Sequence, residues 1–176
     1  MDVKVRQATA DDARAIAEAH VRAWQVAYRG MIPATHLDEL DVDERTAQWR
    51  QNLTDSAPPN GTPSPTNLVA EVGGHVVGFA CVGVWRHERD NDELGELWAM
   101  YVHPDHWGTG AGYALMGATF DLFRSGSIQT AYLWVLEENE LARRFYERQG
   151  WGCNDITQQD PIGDTEVTER RYSILL

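Results

Sequence analysis

Three glycines at alternate positions, Gly108, Gly110 and Gly112, follow an apolar run from Leu97 to Val102 that breaks at Pro104. After them Ala114, Leu115, Ala118 and Leu122 recur on one helical face, so the stretch predicts a strand, a tight glycine turn and a helix start. Such a turn presents bare backbone N–H groups at the positive end of a helix, which suits a phosphate or diphosphate. Glycine fits because a Cβ would block the approach and the turn calls for positive φ. A P-loop would close on Gly-Lys-Ser/Thr, but here the residues are Gly112, Tyr113 and Ala114. The dinucleotide fingerprint needs G-x-G-x-x-G in an early strand–helix unit, whereas this G-x-G-x-G comes late in the chain.

A second constellation lies downstream. Asn139 and Tyr146 are seven residues apart, close to two helical turns, so they share a face, and Ala142 between them leaves room for a ligand. Asn139 also reads as a helix N-cap, and both roles can hold together. Upstream, Trp24 and Tyr28 lie one turn apart on a helix closed by Gly30 and Pro33, and by themselves read as core residues before a helix stop. His20, one turn earlier, reads as structural.

The run Trp107-Gly108-Thr109-Gly110-Ala111-Gly112 resembles the acetyl-CoA loop of the GNAT superfamily of N-acetyltransferases, Q/R-x-x-G-x-G/A, with Trp107 where Gln or Arg is usual. Asn139, Ala142, Phe145-Tyr146 and Gly150-Trp151 resemble its other signature, in the right order. Arg22, Trp24, Tyr28-Arg29-Gly30 and Pro33 are similar to one branch of the superfamily. The resemblance implies an α/β (mixed α+β) GNAT fold: a mostly antiparallel sheet with a splayed parallel strand pair, flanked by helices. It implies acetyl-CoA as cosubstrate, held by Met100, Tyr101, Val102, Gly108, Thr109, Gly110, Ala111, Gly112, Tyr113, Asn139 and Tyr146. The pantetheine would pair with the freed backbone of Met100 to Val102, and the N–H of Met100 or Tyr101 would serve the thioester carbonyl. Glu96 is the implied base, directly or through water, with Glu93 next in line, and Tyr146 is the implied acid toward the departing thiolate. Trp24 and Tyr28 would line the acceptor pocket, with Phe145 turned toward the sheet. The implied activity is acetyl transfer to a primary amine of a small molecule or peptide. A CoA-binding sensor without turnover and an O-acyl or longer-acyl transferase are the alternatives on the same fold.

Positioning these residues takes an ordered set of elements. A strand at Val3 to Arg6 precedes a helix carrying Ala13, Ile16, Ala17, His20, Val21, Trp24 and Tyr28 on one stripe. Thr9 and Asp12 have capping-box spacing before it. A second helix spans about 43–53, then a Pro/Ser/Thr-rich excursion runs from Thr54 to Thr66. Leu68 to Val72 and Val76 to Val84 flank Gly73-Gly74 as a hairpin, and Arg86 to Asp92 is a charged turn. Glu96 to Val102, apolar on both faces, is a central strand. A helix to about Arg124, a strand from Thr130 to Leu136, a helix from Asn139 to Gln149 and two strands near 151–156 and 166–175 complete one domain over 1–176.

The totals bound the partners. The formal net charge of −12 argues against nucleic acid. It is compatible with a cationic acceptor such as a polyamine, aminoglycoside or protein amine, and equally with an acidic surface serving solubility. Two cysteines without C-x-x-C spacing, Cys81 and Cys153, indicate neither a disulfide framework nor a zinc site, and Cys81 reads as core. His103 and His106 sit in a turn without a carboxylate at ligand spacing, so no metal is expected. Charges at Asp2, Lys4 and Arg6 interrupt any apolar opening, and no run approaches a bilayer span, so a reduced cytoplasm and no membrane association are expected. Dimers are common among proteins resembling this one, which makes a homodimer a further expected partner.

Overall fold

The structure, a computed structural model, describes residues 2–54, 65–87 and 93–176. Residues 55–64 of the Pro/Ser/Thr-rich excursion and most of the charged turn expected at 86–92 lie outside these residues. The elements run β1 (Val3–Gln7), α1 (Ala13–Ala27), α2 (Ala34–Asp38), α3 (Val42–Thr54), β2 (Thr66–Val72), β3 (His75–Val84), β4 (Leu94–Val102), α4 (Ala111–Ser125), β5 (Thr130–Leu136), α5 (Glu140–Arg148), β6 (Gly152–Ile162) and β7 (Thr165–Leu175). Their order matches the expected one with α2 added. That helix is five residues long with only Leu37 buried, too short for periodicity to reveal.

Seven strands form one sheet in the order β1-β2-β3-β4-β5-β7-β6. All neighbours are antiparallel except β4 and β5. The expected central strand is the fourth of seven. α4 packs its buried Ala111, Leu115, Met116 and Phe123 onto one face, together with Leu68, Ala70, Ala80, Leu97 and Leu133. α1 and α3 cover the other through Ile16, Ala17 and Trp49 against Val69 and Phe79. β6 runs six residues beyond its expected end at Ile156. Its second half is polar and contains Pro161, which an edge strand tolerates because its outer N–H groups need no partner. Asp155 at φ 57° and a register shift between Cys153 and Thr157 mark the bulge that broke the pattern.

Two features of β4 shape the site. Cys81 pairs with Ala99 and Val82 with Leu97, leaving Trp98 as an extra, bulged residue. On the other side the parallel pairing with β5 covers only Leu94↔Thr130, Gly95↔Ala131 and Glu96↔Tyr132. Beyond Glu96 the two strands part although both continue, β4 to Val102 and β5 to Leu136. A bulge bends and twists its strand, so the bend at Trp98 swings β4 away just where pairing ends.

The entry to α1 is fixed by charge. The Asp12 carboxylate accepts the Thr9 N–H at 2.8 Å and two Arg6 bonds at 2.7 and 2.8 Å. The Arg6 guanidinium, aided by Thr9, lowers the Asp12 pKa to about 2 against the cost of burial. A carboxylate depressed in the folded state stabilises the fold above its unfolded pKa near 4 and loses that contribution as pH falls through 2. With Arg6 partly exposed, the contribution is about 1–2 kcal/mol. Asp12→Asn should lower the unfolding free energy from urea titration at pH 7 by that amount, and most of the gap to the parent should be gone at pH 2. An equal gap at both values would show that the pair is not the source.

Candidate active site

The parted strands open into a cavity of about 880 Å3 that runs from the α4 N-terminus to the β6–β7 hairpin. Its backbone floor is β4 from Glu96 to Val102, including Met100 and Tyr101. One wall is the glycine turn. Gly110 sits at φ 93°, a left-handed conformation that disfavours any side chain, and serves as the N-cap of α4. The first helical bond is Ala114 N–H to Gly110 C=O at 3.0 Å. The N–H groups of Ala111, Gly112 and Tyr113 therefore precede the intrahelical ladder and form an anion-binding corner. Gly108, Gly110, Gly112 and Tyr113 line the cavity, whereas Thr109 and Ala111 do not. The Thr109 hydroxyl donates to the His106 carbonyl at 2.7 Å, and Ala111 is buried in the core, so each could offer a ligand only its backbone.

The opposite wall is α5. Asn139 is buried and caps the helix, as expected, its Oδ1 accepting from Ala142 N–H at 3.1 Å, and it also lines the cavity. The helix is anchored to β7 by a relay: Arg143 Nε donates to the Tyr172 hydroxyl at 3.1 Å, which donates to Glu147 Oε1 at 2.9 Å. That anchor fixes Tyr146, which is buried, lines the cavity and has no hydrogen-bond partner for its hydroxyl among the described residues. Burial, then the nearby Tyr101, raise its pKa above the ordinary phenol value. Phe145 packs against the core on the α4 face of the sheet, in keeping with expectation, and reaches the cavity as well. There it meets Tyr113 edge-on at 5.5 Å, because the α4–α5 wall needs an apolar filler where Gly112 leaves space.

Trp107 is 41% exposed, and its indole N–H donates to the Val102 carbonyl at 2.8 Å. One of the unpaired groups at the end of β4 is thus already occupied.

Past the split, Tyr28 lines the cavity and shares a hydrogen bond with the Tyr101 hydroxyl at 3.0 Å. Burial raises both phenols. Trp24 stands one layer back, edge-on to Tyr28 at 5.1 Å and packed beside His20; Ala23 and Ala27 line the cavity on that helix instead. Helical spacing gave Trp24 the right face but not its depth. His20 is neutral, its pKa lowered to about 3 by burial and by Arg45, and it accepts the Trp49 indole N–H at 3.3 Å, a packing role as expected. Burial likewise pushes the Cys81 thiol up to about 12 within the core.

Glu96 is 1% exposed and lines the cavity, but it is not an open base. Oε1 accepts from Arg86 Nε at 3.2 Å and from its Nη2; Oε2 accepts from Arg86 Nε at 3.1 Å and its backbone N–H at 3.2 Å. A carboxylate offers about four lone-pair sites, and Arg86 directs three N–H donors at them, the Nε–H shared between both oxygens. Arg86 is itself held over the bulged Trp98 ring, 4.8 Å from its centroid. Direct proton abstraction by Glu96 requires Arg86 to let go, whereas the expected route through water does not. Sequence reasoning also missed Arg86, Trp134 and Glu169, all on the wall. Gly83 pairs with Glu96, which brings the residues after β3 beside it, and Glu169 pairs with both Leu136 and Gln158. Only a strand register could have shown these neighbours.

Among the described residues no helix is long and apolar enough to cross a membrane, and no three His, Cys, Asp or Glu side chains group as a metal site.

Comparison with known proteins agrees with this geometry. The chain is 30% identical over 148 residues to an uncharacterized N-acetyltransferase of Archaeoglobus fulgidus, covering 84% of this chain and 91% of the relative. It is 28% identical over 137 residues to the uncharacterized N-acetyltransferase YuaI of Bacillus subtilis, covering 78% and 73%. In fold it is similar to the PaiA N-acetyltransferase of Thermoplasma acidophilum, solved in complex with coenzyme A, with a TM-score of 0.72, 18% identity and 98% and 100% of the two chains covered. The model of the acetyltransferase (GNAT) family matches residues 15–151, from α1 through the glycine turn to the end of α5, and the chain belongs to that family.

Proposed function

We propose that the protein is an acetyl-CoA-dependent N-acetyltransferase acting on a primary amine. The observation that carries this reading is the parting of β4 from β5 beyond Glu96, beside an α4 N-terminus capped by a left-handed glycine. Unpaired backbone groups on β4 can accept the pantetheine amides as a neighbouring strand would, and the N–H groups opening α4 can take the diphosphate. The site fits the cosubstrate because a groove, a free strand edge and an anion corner follow one another along one cavity. Trp107 must give up the Val102 carbonyl if the pantetheine uses it.

In the transfer, the amine nitrogen bonds to the thioester carbon, the C–S bond breaks, the nitrogen loses a proton and the sulfur gains one. The Met100 N–H, on the open edge of β4, stabilises the carbonyl oxygen as it takes charge; the alternative expected, the Tyr101 N–H, faces β3, because alternate residues of the strand point to opposite edges. Tyr146 donates a hydrogen bond to the departing sulfur. Glu96 positions Arg86, closing that side of the cavity to bulk water, and passes protons only through water at the pair. Glu96→Gln should reduce kcat/KM several-fold, about 1 kcal/mol, while the pH–rate profile keeps its shape. A lost or displaced basic rise would restore Glu96 as the direct base.

A thiol-release assay with acetyl-CoA against amines, amino acids, aminoglycosides and peptide N-termini tests the function. Amine-dependent release is expected. CoA binding without release for any acceptor would make the protein a sensor, and release with alcohols alone would make it an O-acyltransferase.

A further inference from the structure

Past the split, three strands bring carboxylates to the cavity wall: Glu96 on β4, Asp160 on β6 and Glu169 on β7. They are not equivalent. Glu96 is neutralised by Arg86, and Asp160 is exposed. Glu169 is half-buried, with one oxygen accepting from Gln158 Nε2 at 2.8 Å and the other without a hydrogen-bond partner among the described residues. Burial raises its pKa, and its charge in turn raises those of the Tyr28 and Tyr101 hydroxyls, so it acts inside the same enclosed space. The Arg86 charge also acts on Glu169, but its guanidinium is bonded to Glu96, so a half-buried carboxylate beside aromatic walls, with one oxygen unbonded among the described residues, offers a place for a further cation.

Its place in the sheet limits which cation. Glu169 pairs with Leu136, and β5 lies between β7 and the split. Adjacent strands are about 4.8 Å apart, so the β7 backbone stands two spacings, about 10 Å, from the split, and the Glu169 side chain, which reaches the cavity, shortens the gap to an amine reacting there to about 5–8 Å. Trp134 and Leu136 on β5 and Tyr28 on α1 line the way and suit a methylene chain.

We propose that Glu169 determines acceptor specificity by holding the second, non-reacting ammonium of a short aliphatic diamine whose other amine faces the split. This rests on the N-acetyltransferase reading. An acceptor of the same length ending in a carboxylate meets like charge there and is disfavoured.

The test is calorimetric titration of the CoA-saturated protein with 1,4-diaminobutane, 1-aminobutane and 4-aminobutanoate, which differ only at the remote end. The parent should bind the diamine at least about tenfold more tightly than the monoamine, and 4-aminobutanoate most weakly. Glu169→Gln retains a side chain that can meet Gln158 and should shrink the diamine's advantage to about threefold or less. Glu169→Asp should keep part of it. Equal affinity for diamine and monoamine in the parent, or an advantage that survives in Glu169→Gln, overturns the proposal. Diamine preference without acetyl release would sink the enzymatic reading and leave this site standing; release with other amines but no diamine preference would do the reverse.

Discussion

Gly112→Val is expected to weaken CoA binding at least about 100-fold, close to 3 kcal/mol, while the protein stays folded. Gly112 lacks the positive φ of Gly110, so a side chain there strains no backbone. A Cβ at 112 would stand 3.5 Å from the Phe145 ring and 3.9 Å from Val102, both ordinary contacts, in the throat between α4, β4 and α5. The γ-methyl groups of valine would then occupy the path to the N–H groups opening the helix. Valine is no poorer a helix former than the glycine it replaces, so propensity adds no cost. Calorimetry with CoA, alongside a melting curve, checks both halves. Unchanged affinity in a folded variant would remove the glycine turn from the cosubstrate site. Gly110→Val is the poorer experiment, because at φ 93° it adds about 1–2 kcal/mol of backbone strain to any loss of binding.

Tyr146→Phe should lower kcat about 10- to 100-fold and leave CoA affinity within about threefold, the pattern of a donor used chiefly in the transition state. A simple thiol has a pKa near 8.5, and burial holds the Tyr146 phenol above its usual value near 10. Complete proton transfer from phenol to thiolate is therefore uphill by more than about 2 kcal/mol. Donating a hydrogen bond to sulfur as charge develops carries no such penalty. A phenol raised in this way stays protonated throughout the usual assay range, so the parent should show no loss of rate attributable to Tyr146 below pH 10. Steady-state kinetics with matched CoA titrations decide the matter. Equal kcat in parent and variant would take Tyr146 out of the chemistry, and an equal loss in binding would make it a packing residue.

The parts of this site that follow the chain locally were readable from it. The glycine turn, the α4 start, Asn139 as a cap and the Asn139–Tyr146 face all rest on spacings within one element. The parting of β4 from β5 entered through family resemblance alone, because its local cause is one unpaired residue, Trp98, whose apolar neighbours conceal the bulge. Depth was the second blind spot: a helical stripe could not say that Tyr28 reaches the cavity and Trp24 stops behind it. Contacts between distant segments were the third. Arg86 beside Glu96, and Glu169 beside Gln158, depend on which residue faces which across the sheet, and that register is decided by the whole fold.

A β-sheet with an unfilled seam is an unfinished piece of folding. Whatever molecule lies in it supplies the missing rungs and adds stability by mass action, about 2.7 kcal/mol when its concentration is a hundred times the dissociation constant. Amides of Met100 to Val102 should then exchange with deuterium more slowly as CoA is added, and proteases should find the chain harder to open. On the proposed reading, the lifetime of this protein in a cell would rise and fall with the supply of acetyl-CoA and CoA, a metabolic readout built into the sheet itself.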